Sequence, residues 1–273
     1  MADAKVNPNG TLKGKVALVT GASRGIGEAI SVRLAMEGAK VVCTARTADA
    51  GESKLPGTLR DTIARIQKAG GQTMFIKCDL SSAEDRERLI ADATAAYGPI
   101  DILVNNGAVT FYSPIETFAE KRFKLMMEVQ VWAALHLAQM VLPGMRERKS
   151  GAIVTIASGA AIHPVKPYEN IRAGGTVYGM CKAALERFST GLASEVYNDN
   201  VSVSVISPGL VATPGVAVHG LINEKTKDRV APIENIAEAV YQLVTRDPKT
   251  ITGRVDHATP FLKELGVAAS PLV

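Results

Sequence analysis

A chain of 273 residues is long enough to bury a substantial core in one large α/β domain. Hydrophobic residues make up 47% of the chain and charged residues 21%, which excludes a disordered or a fibrous protein. Lysine and arginine number 31 against 27 aspartates and glutamates, and the small excess forms no basic run, so nucleic acid binding is not indicated.

The cysteines and the hydropathy of the chain indicate whether it contains a metal site and where in the cell it is located. Cys43, Cys78 and Cys181 lie far apart, and none has a histidine at a zinc-ligand spacing. We therefore expect no metal site, and buried reduced thiols typical of a cytoplasmic protein. The N-terminal residues include no apolar run typical of a secretory signal. The most apolar long stretch, residues 131–145, is too short and too polar for us to expect a membrane span.

Apolar segments typical of buried strands alternate with amphipathic segments along the chain. The predicted strands are residues 15–20, 40–45, 73–78, 100–104, 152–157, 201–206 and, more weakly, 254–257. The predicted helices are residues 26–37, 58–69, 83–97, 114–148, 178–197 and 233–245. This alternation predicts a Rossmann-type doubly wound parallel sheet of about seven strands with helices on both faces. We expect a flexible N-terminal arm over residues 1–14 and a single catalytic domain over residues 15–273.

The first predicted strand ends at Thr20 and runs directly into a glycine-rich turn and a helix. Glycine permits a positive φ and lets the backbone approach a pyrophosphate, and the N-terminus of a helix attracts anions. A glycine turn alone also occurs without any ligand, but the flanking strand and helix favour a dinucleotide site. The cofactor-binding residues predicted here are Gly21, Ser23, Arg24, Gly25, Ile26 and Gly27.

The second predicted strand indicates which dinucleotide binds. Enzymes that use NAD usually place an acid at its end to bind the ribose 2′-hydroxyl, whereas here Arg46 follows a strand without an acid. Arg24 extends from the glycine turn toward the same region. Because guanidinium groups bind phosphate well, the pattern favours NADP over NAD, the alternative being that both arginines are solvated surface residues.

Tyr178 and Lys182 lie four residues apart, on one face of a predicted helix. A nearby ammonium group and the charge of an oxidised nicotinamide both stabilise a phenolate, so we expect Lys182 and the cofactor together to lower the pKa of Tyr178 and to suit it for proton transfer. Ser158 follows the fifth strand, at the sheet edge where ligands of open α/β sheets bind, and its hydroxyl can orient a substrate oxygen. Each feature alone is common on protein surfaces, and only their combination is informative.

These motifs, with Cys78-Asp79-Leu80, Asn105-Asn106-Gly107 and Pro208-Gly209 before Thr213, resemble the short-chain dehydrogenase/reductase family from about residue 15 to 253. The likeness is to its single-domain branch, in particular to citronellol dehydrogenase-like or hydroxysteroid dehydrogenase-like members. The resemblance implies that Tyr178 is the general acid and base, that Ser158 orients the substrate, and that Lys182 also binds the nicotinamide ribose. It adds to the cofactor-binding residues Tyr178, Lys182, Asp79, Leu80, Asn106, Gly107, Pro208, Gly209, Val211 and Thr213.

The sequence departs from the family pattern at three places. The asparagine motif continues as Gly107-Ala108 where the family has alanine and then glycine, so the local backbone is expected to differ. Gln130 occupies the place of an asparagine that supports the family's proton relay, which puts the relay in doubt. The segment between Ser158 and Tyr178 is longer than usual, and we expect residues 162–175 to loop out beside the active site.

The segment after the sixth strand, residues 210–218, corresponds to the family's substrate lid and is apolar. An apolar lid predicts an apolar alcohol, ketone or aldehyde as the substrate, the alternative being that these residues pack in the core. His163 and His219 are interpreted as exposed loop histidines. Apolar residues on the long fourth helix and on the Tyr178 helix predict a homodimer or homotetramer.

Three other functions remain open at this point. A β-ketoacyl-thioester reductase is compatible with every motif, although the apolar lid and the lack of a basic docking patch weigh mildly against it. A non-catalytic dinucleotide-binding protein would keep the fold without the chemistry, and Gln130 is its best support. An enoyl-thioester reductase is disfavoured because Ala184 stands where its more widely spaced lysine would be.

Overall fold

Seven parallel strands form the central sheet of the computed structural model, which describes residues 5–168 and 174–273. The strands are β1 (Val16–Thr20), β2 (Lys40–Ala45), β3 (Gln72–Lys77), β4 (Ile102–Asn105), β5 (Gly151–Ile156), β6 (Val201–Ser207) and, after the two strands given below, β9 (Val255–His257). Their order across the sheet is β3-β2-β1-β4-β5-β6-β9. Strands β2 and β3 are added on one side of β1, and β4 and the later strands are added on the other side. The ligand crevice is expected at this switch point, at the carboxyl ends of β1 and β4. The predicted fold class is confirmed.

The helices cover both faces of this sheet. They are α1 (Gly25–Met36), α2 (Leu59–Lys68), α3 (Ala83–Tyr97), α4 (Glu120–Met126), α5 (Ala133–Glu147), α6 (Thr176–Glu195), α7 (Pro214–Val218), α8 (Ile233–Thr245), α9 (Pro248–Ile251) and α10 (Ala258–Leu265). A small second sheet pairs β7 (Leu210–Val211) with β8 (Val230–Ala231).

Alternate residues of β1 face opposite cores. Ala17 and Val19 pack with α1, α2, α8 and α10, whereas Val16 and Leu18 pack with α3, α5 and α6. Successive side chains of a strand point to opposite faces, so a strand that is apolar throughout its length needs cover on both sides. Because β1 is buried on both faces, its carboxyl end lies between two helical layers.

The predicted helix over residues 114–148 is discontinuous, which corrects the sequence-based expectation. A 3₁₀ turn over Ile115–Thr117 precedes α4, and a π-helical segment over Met127–Trp132 separates α4 from α5. The π-helical segment buries Val129 and Gln130 beside the sheet. Short π-helical segments are rare and occur often at functional sites.

The helical run from Glu120 to Glu147 spans 28 residues and is long and apolar enough to cross a membrane by length and composition alone. It is therefore longer than the stretch that the sequence analysis judged too short. Core helices of water-soluble proteins meet the same criterion, and Leu137, Val141 and Met145 of this run pack against the sheet. The run is weak evidence for a membrane span.

The described part of the predicted N-terminal arm contacts the ends of two helices. The Val6 amide donates to the Ala69 carbonyl at 3.3 Å, the Asn7 amide donates to the Met36 carbonyl at 2.8 Å, and Leu12 is buried. These contacts hold the segment against α1 and α2, while the division of the chain into an arm and a domain stays a prediction.

Candidate active site

The turn after β1 has the backbone geometry that the sequence predicts. Gly21 and Gly25 have φ values of +66° and +56°, which residues other than glycine rarely adopt. A Cβ added at Gly27 would lie 2.3 Å from the Gly21 carbonyl oxygen, so the first turn of α1 packs tightly on the strand end. The backbone of the turn is therefore accessible to a ligand on the side away from the contact between Gly21 and Gly27.

Asn106 ties the glycine turn to the end of β4. Its side-chain amide donates to the carbonyl oxygens of Thr20 at 2.8 Å and of Gly21 at 3.3 Å. A Cβ at Gly107 would lie 2.5 Å from Cδ1 of Leu80, so alanine at this position would displace the leucine. The order Gly107-Ala108 thus suits the local packing in this chain.

A cavity of about 360 Å³ opens above the glycine turn. The predicted cofactor-binding residues that line it are Gly21, Ser23, Arg24, Gly25, Ile26, Gly27, Arg46, Asp79, Leu80, Asn106, Gly107 and Thr213. Lining residues that were not predicted include Ser53, Leu55 and Val129. Because Ser53 and Leu55 belong to the irregular link after β2, no periodic pattern indicated them. Twelve of the predicted positions therefore meet around one cavity, whose volume lies in the usual range of small-molecule sites.

The two predicted phosphate-binding arginines differ in their contacts. The Arg24 guanidinium donates to Ser53 Oγ at 3.1 Å and to the Gly57 carbonyl at 2.8 Å, which holds the link after β2 against the glycine turn. Arg46 is exposed, lines the cavity and forms no ion pair or hydrogen bond within residues 5–168 and 174–273. Of the two, Arg46 has its full hydrogen-bonding capacity available to an anion.

Asp79 and Leu80 follow β3 and are held by the start of α3. One carboxylate oxygen of Asp79 accepts hydrogen bonds from the amide and the hydroxyl of Ser81 at 2.9 and 2.8 Å. The guanidinium of Arg86, which is 1% exposed, donates to the Leu80 carbonyl and to the Glu128 carboxylate. Asp79 thus forms a local turn and still borders the cavity.

The three predicted catalytic residues come from two neighbouring elements. Ser158 follows β5, and its hydroxyl accepts the Ala160 amide at 3.2 Å at the start of a short 3₁₀ turn. Tyr178 and Lys182 lie in the first two turns of α6. The Tyr178 phenol is hydrogen-bonded to Ser158, so the structure brings the hydroxyl groups of the two residues together.

The electrostatics of Tyr178 differ from the sequence-based expectation. Burial raises the pKa of its phenol to about 12, and the hydrogen bond to Ser158 opposes that rise only in part. The Lys182 ammonium lies 5.8 Å from the centre of the phenol ring and donates instead to the Ile156 carbonyl at 2.9 Å. Lys182 by itself therefore does not lower the pKa of Tyr178 in this structure, and the part of the expectation that involves the charge of the oxidised nicotinamide stays a prediction.

Lys182 is 4% exposed, and burial lowers its pKa to about 8. It borders a small internal cavity together with Asn105 and Gln130. The Gln130 amide donates to the Val109 carbonyl at 2.8 Å, but its Oε1 atom and both polar side-chain atoms of Asn105 have no hydrogen-bond partner among the described residues. Unsatisfied polar atoms thus surround the buried ammonium group.

Five predicted cofactor-binding residues do not line the cavity above the glycine turn: Tyr178 and Lys182 on α6, and Pro208, Gly209 and Val211 after β6. Pro208 and Gly209 line a separate cleft with Arg229 and His257. Val211 is buried in β7, where it pairs with β8. Pairing in the small second sheet turns this segment away from the cavity, and sequence alone did not reveal that pairing. The segment returns at Thr213, which accepts the Val216 amide at 3.2 Å and caps α7.

Two aromatic residues close to Tyr178 were missed or underrated. The Tyr112 ring lies 5.6 Å from the Tyr178 ring and 4.9 Å from the His219 ring, measured between ring centres. His219 is half-buried, so its assignment as an exposed loop residue is wrong, whereas His163 is exposed as expected. In the long segment after Ser158, residues 162–168 are exposed and residues 169–173 lie outside the described residues.

The chain is similar to known oxidoreductases over nearly its whole length. The family model described as short chain dehydrogenase matches residues 15–220. Ketoacyl reductase HetN of Nostoc sp. is 29% identical over 262 residues, which cover 96% of this chain and 86% of the relative.

Two solved structures of similar proteins contain a nicotinamide cofactor. A metagenomic short-chain oxidoreductase in complex with NADP is 32% identical, with a TM-score of 0.73 and coverage of 90% of this chain and 97% of that one. A 7α-hydroxysteroid dehydrogenase complexed with NADH and 7-oxo glycochenodeoxycholic acid is 29% identical, with a TM-score of 0.78 and coverage of 92% and 95%. With the sheet order, the glycine turn and the Ser-Tyr-Lys arrangement, these matches show that the chain belongs to the short-chain dehydrogenase family of oxidoreductases, which bind a nicotinamide dinucleotide.

Proposed function

We propose that this protein is an NADP(H)-dependent oxidoreductase that interconverts an alcohol with a ketone or aldehyde, using Ser158, Tyr178 and Lys182. The observation that carries the proposal is the hydrogen bond between the Ser158 hydroxyl and the Tyr178 phenol. It lies at the carboxyl ends of the strands, the edge at which the glycine-turn cavity also opens. Two hydroxyl groups that share a hydrogen bond can both bind one carbonyl oxygen.

In the reducing direction, Tyr178 acts as the proton donor. With a pKa of about 12, its phenol keeps the proton at neutral pH and can deliver it to the oxygen of a forming alkoxide. Ser158 donates a hydrogen bond to the same oxygen and fixes its position. When bound, the nicotinamide supplies the hydride for reduction or accepts it in oxidation. In the oxidising direction, the phenolate form of Tyr178 takes the proton of the alcohol.

Lys182 lies on the same helix as Tyr178, and we propose that it assists this proton transfer. Its ammonium group is held by the Ile156 carbonyl, and it stands one helical turn from Tyr178. In our proposal it binds the nicotinamide ribose and so holds the cofactor beside the phenol. Because burial lowers the pKa of Lys182 to about 8, part of its population is neutral just above physiological pH.

The choice of NADP rests on Arg46. The cavity that we assign to the cofactor holds an exposed and unpaired guanidinium at the end of β2, and β2 itself contains no acidic residue. The glycine turn fits a pyrophosphate because its backbone is free of Cβ atoms at Gly21 and Gly25. The remaining predicted residues, including Asp79 for the adenine and Thr213 for the carboxamide, keep these roles as proposals.

An apolar substrate is proposed from the surroundings of Tyr178. Tyr178 packs against the buried cluster of Met126, Val177 and Cys181, and so do Val109, Phe111, Phe118, Met127 and Val131. Trp132 and Met180 are each 44% exposed, on the π-helical segment before α5 and on α6, and we propose that these helices form the interface of a homodimer or homotetramer. A cytoplasmic location also remains a proposal.

A second candidate is a β-ketoacyl-thioester reductase, because one relative is named a ketoacyl reductase. Both candidates use the same proton transfer and differ only in the substrate.

The proposed function is tested by following NADPH oxidation by absorbance with ketones, aldehydes and an acetoacetyl thioester. We expect turnover of apolar ketones, and Tyr178→Phe should lower kcat by about 10³-fold, because general acid catalysis contributes about 10²- to 10⁴-fold. NADPH binding, measured by fluorescence, should stay nearly unchanged in this variant. Full activity of Tyr178→Phe would contradict the assigned role, and turnover restricted to the thioester would favour the second candidate.

A further inference from the structure

Tyr112 connects the proposed proton donor to the segment that corresponds to the substrate lid. Its ring meets the Tyr178 ring at 57° and the His219 ring at 78°, with centre distances of 5.6 and 4.9 Å. Tilted and edge-to-face arrangements at 4.5–7 Å are the favourable ones for aromatic pairs. One side chain therefore contacts both the catalytic phenol and the residue that directly follows the lid.

The position of Tyr112 is fixed by its own loop. The loop between β4 and the first 3₁₀ turn is held by Gln130, which donates to the Val109 carbonyl at 2.8 Å. The Ser113 amide donates to the Gly174 carbonyl at 3.2 Å, which ties the loop to the start of α6. Phe111 packs in the apolar cluster around Tyr178. Tyr112 thus stands on a support anchored at both ends.

His219 belongs to a less constrained element. It follows α7, a helix of five residues, of which Gly215, Ala217 and Val218 are exposed. At its other end, α7 is capped by Thr213, which lines the cavity above the glycine turn. The contact between His219 and Tyr112 is accordingly the point at which the lid meets the anchored loop beside the phenol.

We propose that Tyr112 and His219 form a clasp that closes the substrate cleft and makes the enzyme selective for flat, cyclic, apolar ketones and alcohols. This inference rests on the proposed function, because it assigns the substrate class of the same site. A flat ring can pack on the Tyr112 ring while its carbonyl oxygen meets the hydroxyl groups of Ser158 and Tyr178. A flexible acyclic chain covers less of that aromatic surface and pays more conformational entropy when it is ordered.

The selectivity is tested with two ketones of ten carbons, 2-tetralone, which is bicyclic with a planar aromatic ring, and the acyclic 2-decanone. In Tyr112→Ala, KM for 2-tetralone should rise about tenfold, while kcat/KM for 2-decanone changes less than about threefold. Tyr112→Phe keeps the ring and should retain the selectivity. Tyr197→Ala is the matched control, because this exposed tyrosine follows the far end of α6, about 28 Å along the helix from Tyr178.

Closure is tested without turnover, by hydrogen exchange of peptides that cover residues 210–219. In Tyr112→Ala and in His219→Ala, amides of the lid should exchange about two- to tenfold faster than in the wild type, and in Tyr197→Ala they should not. Unchanged exchange in both clasp variants would overturn the proposal. So would a loss of selectivity in Tyr112→Phe equal to that in Tyr112→Ala, because the hydroxyl rather than the ring would then select the substrate. If the wild type reduces no carbonyl compound, the proposed function fails and so does the substrate assignment, and the exchange experiment alone decides whether the clasp exists.

Discussion

The two halves of the cleft differ in what holds their side chains. In the cofactor half, formed by the ends of β1 to β4, positions follow from local backbone geometry, as at Gly21 with its φ of +66°. In the substrate half, formed by Ser158, α6, the lid and the loop after β4, side chains meet by packing between segments far apart in sequence, as Tyr112 and His219 do. The first half is readable from a short motif, whereas the second requires the whole fold.

The largest expected effect concerns Arg46 in the cofactor half. Arg46→Asp removes the unpaired guanidinium and adds an acid that can bind the ribose 2′-hydroxyl, so the preference for NADP over NAD should fall about 100-fold or more. The measurement is kcat/KM for each cofactor with one ketone. Arg187→Asp, at an exposed position on α6, is the control for the change of charge. An unchanged cofactor ratio would contradict the role of Arg46.

A smaller effect tests whether local backbone geometry really controls the cofactor half. Gly27→Ala would place a Cβ 2.3 Å from the Gly21 carbonyl oxygen, so the turn must shift, and the Kd for NADPH should rise about tenfold. Gly191→Ala is the matched helical control, because its Cβ would meet only the mobile end of Arg187. That variant should bind NADPH normally and unfold at the same or a higher Tm. Equal NADPH affinities in the two variants would be evidence against a tightly packed turn.

The pH dependence tests the burial of the phenol in the substrate half. Since the pKa of Tyr178 is raised to about 12, the fraction of phenolate grows about tenfold per pH unit below that value. Alcohol oxidation needs the phenolate, so its kcat/KM should rise steeply between about pH 6 and 8. Ketone reduction needs the protonated phenol and should change little over that range. Parallel profiles in the two directions would contradict this assignment.

The smallest effect concerns the support of the clasp. Gln130→Met keeps the length of the side chain but leaves the Val109 carbonyl without its donor, and we expect kcat/KM to fall roughly threefold with a loss of about 1 kcal/mol in the free energy of unfolding. The effect is small because the substitution also removes the unsatisfied Oε1 atom of Gln130. Gln139→Met, at an exposed position on α5, should change neither quantity.

Local signals in the sequence were sufficient for many elements. The bounds predicted for α3 and α8 agree with the structure, and Ser82 caps α3 by accepting the Asp85 amide. Cys43, Cys78 and Cys181 are buried and free, as the sequence predicted. Such features depend on a few neighbouring residues, so tertiary packing has little opportunity to change them.

The failures fall where distant segments meet. The π-helical segment before α5, which buries Val129 and Gln130, follows no periodicity that the sequence displays. The hydrogen bonds of Arg24 to Ser53 and Gly57 in the link after β2 were not predicted, while its role toward a phosphate stays a prediction. The pKa of Tyr178 depended on burial and on where the Lys182 ammonium points, and neither is encoded in the four-residue spacing of the pair.

The sequence by itself determined the doubly wound sheet, the glycine turn and the family to which the chain belongs. These properties depend on hydrophobic period and on residues with special backbone freedom, which are local physical causes. Only the tertiary structure decided which arginine is free for a phosphate, which proton state the phenol prefers, and which aromatic rings border it. Burial and contact are properties of segments brought together by folding, so no single stretch of sequence contains them.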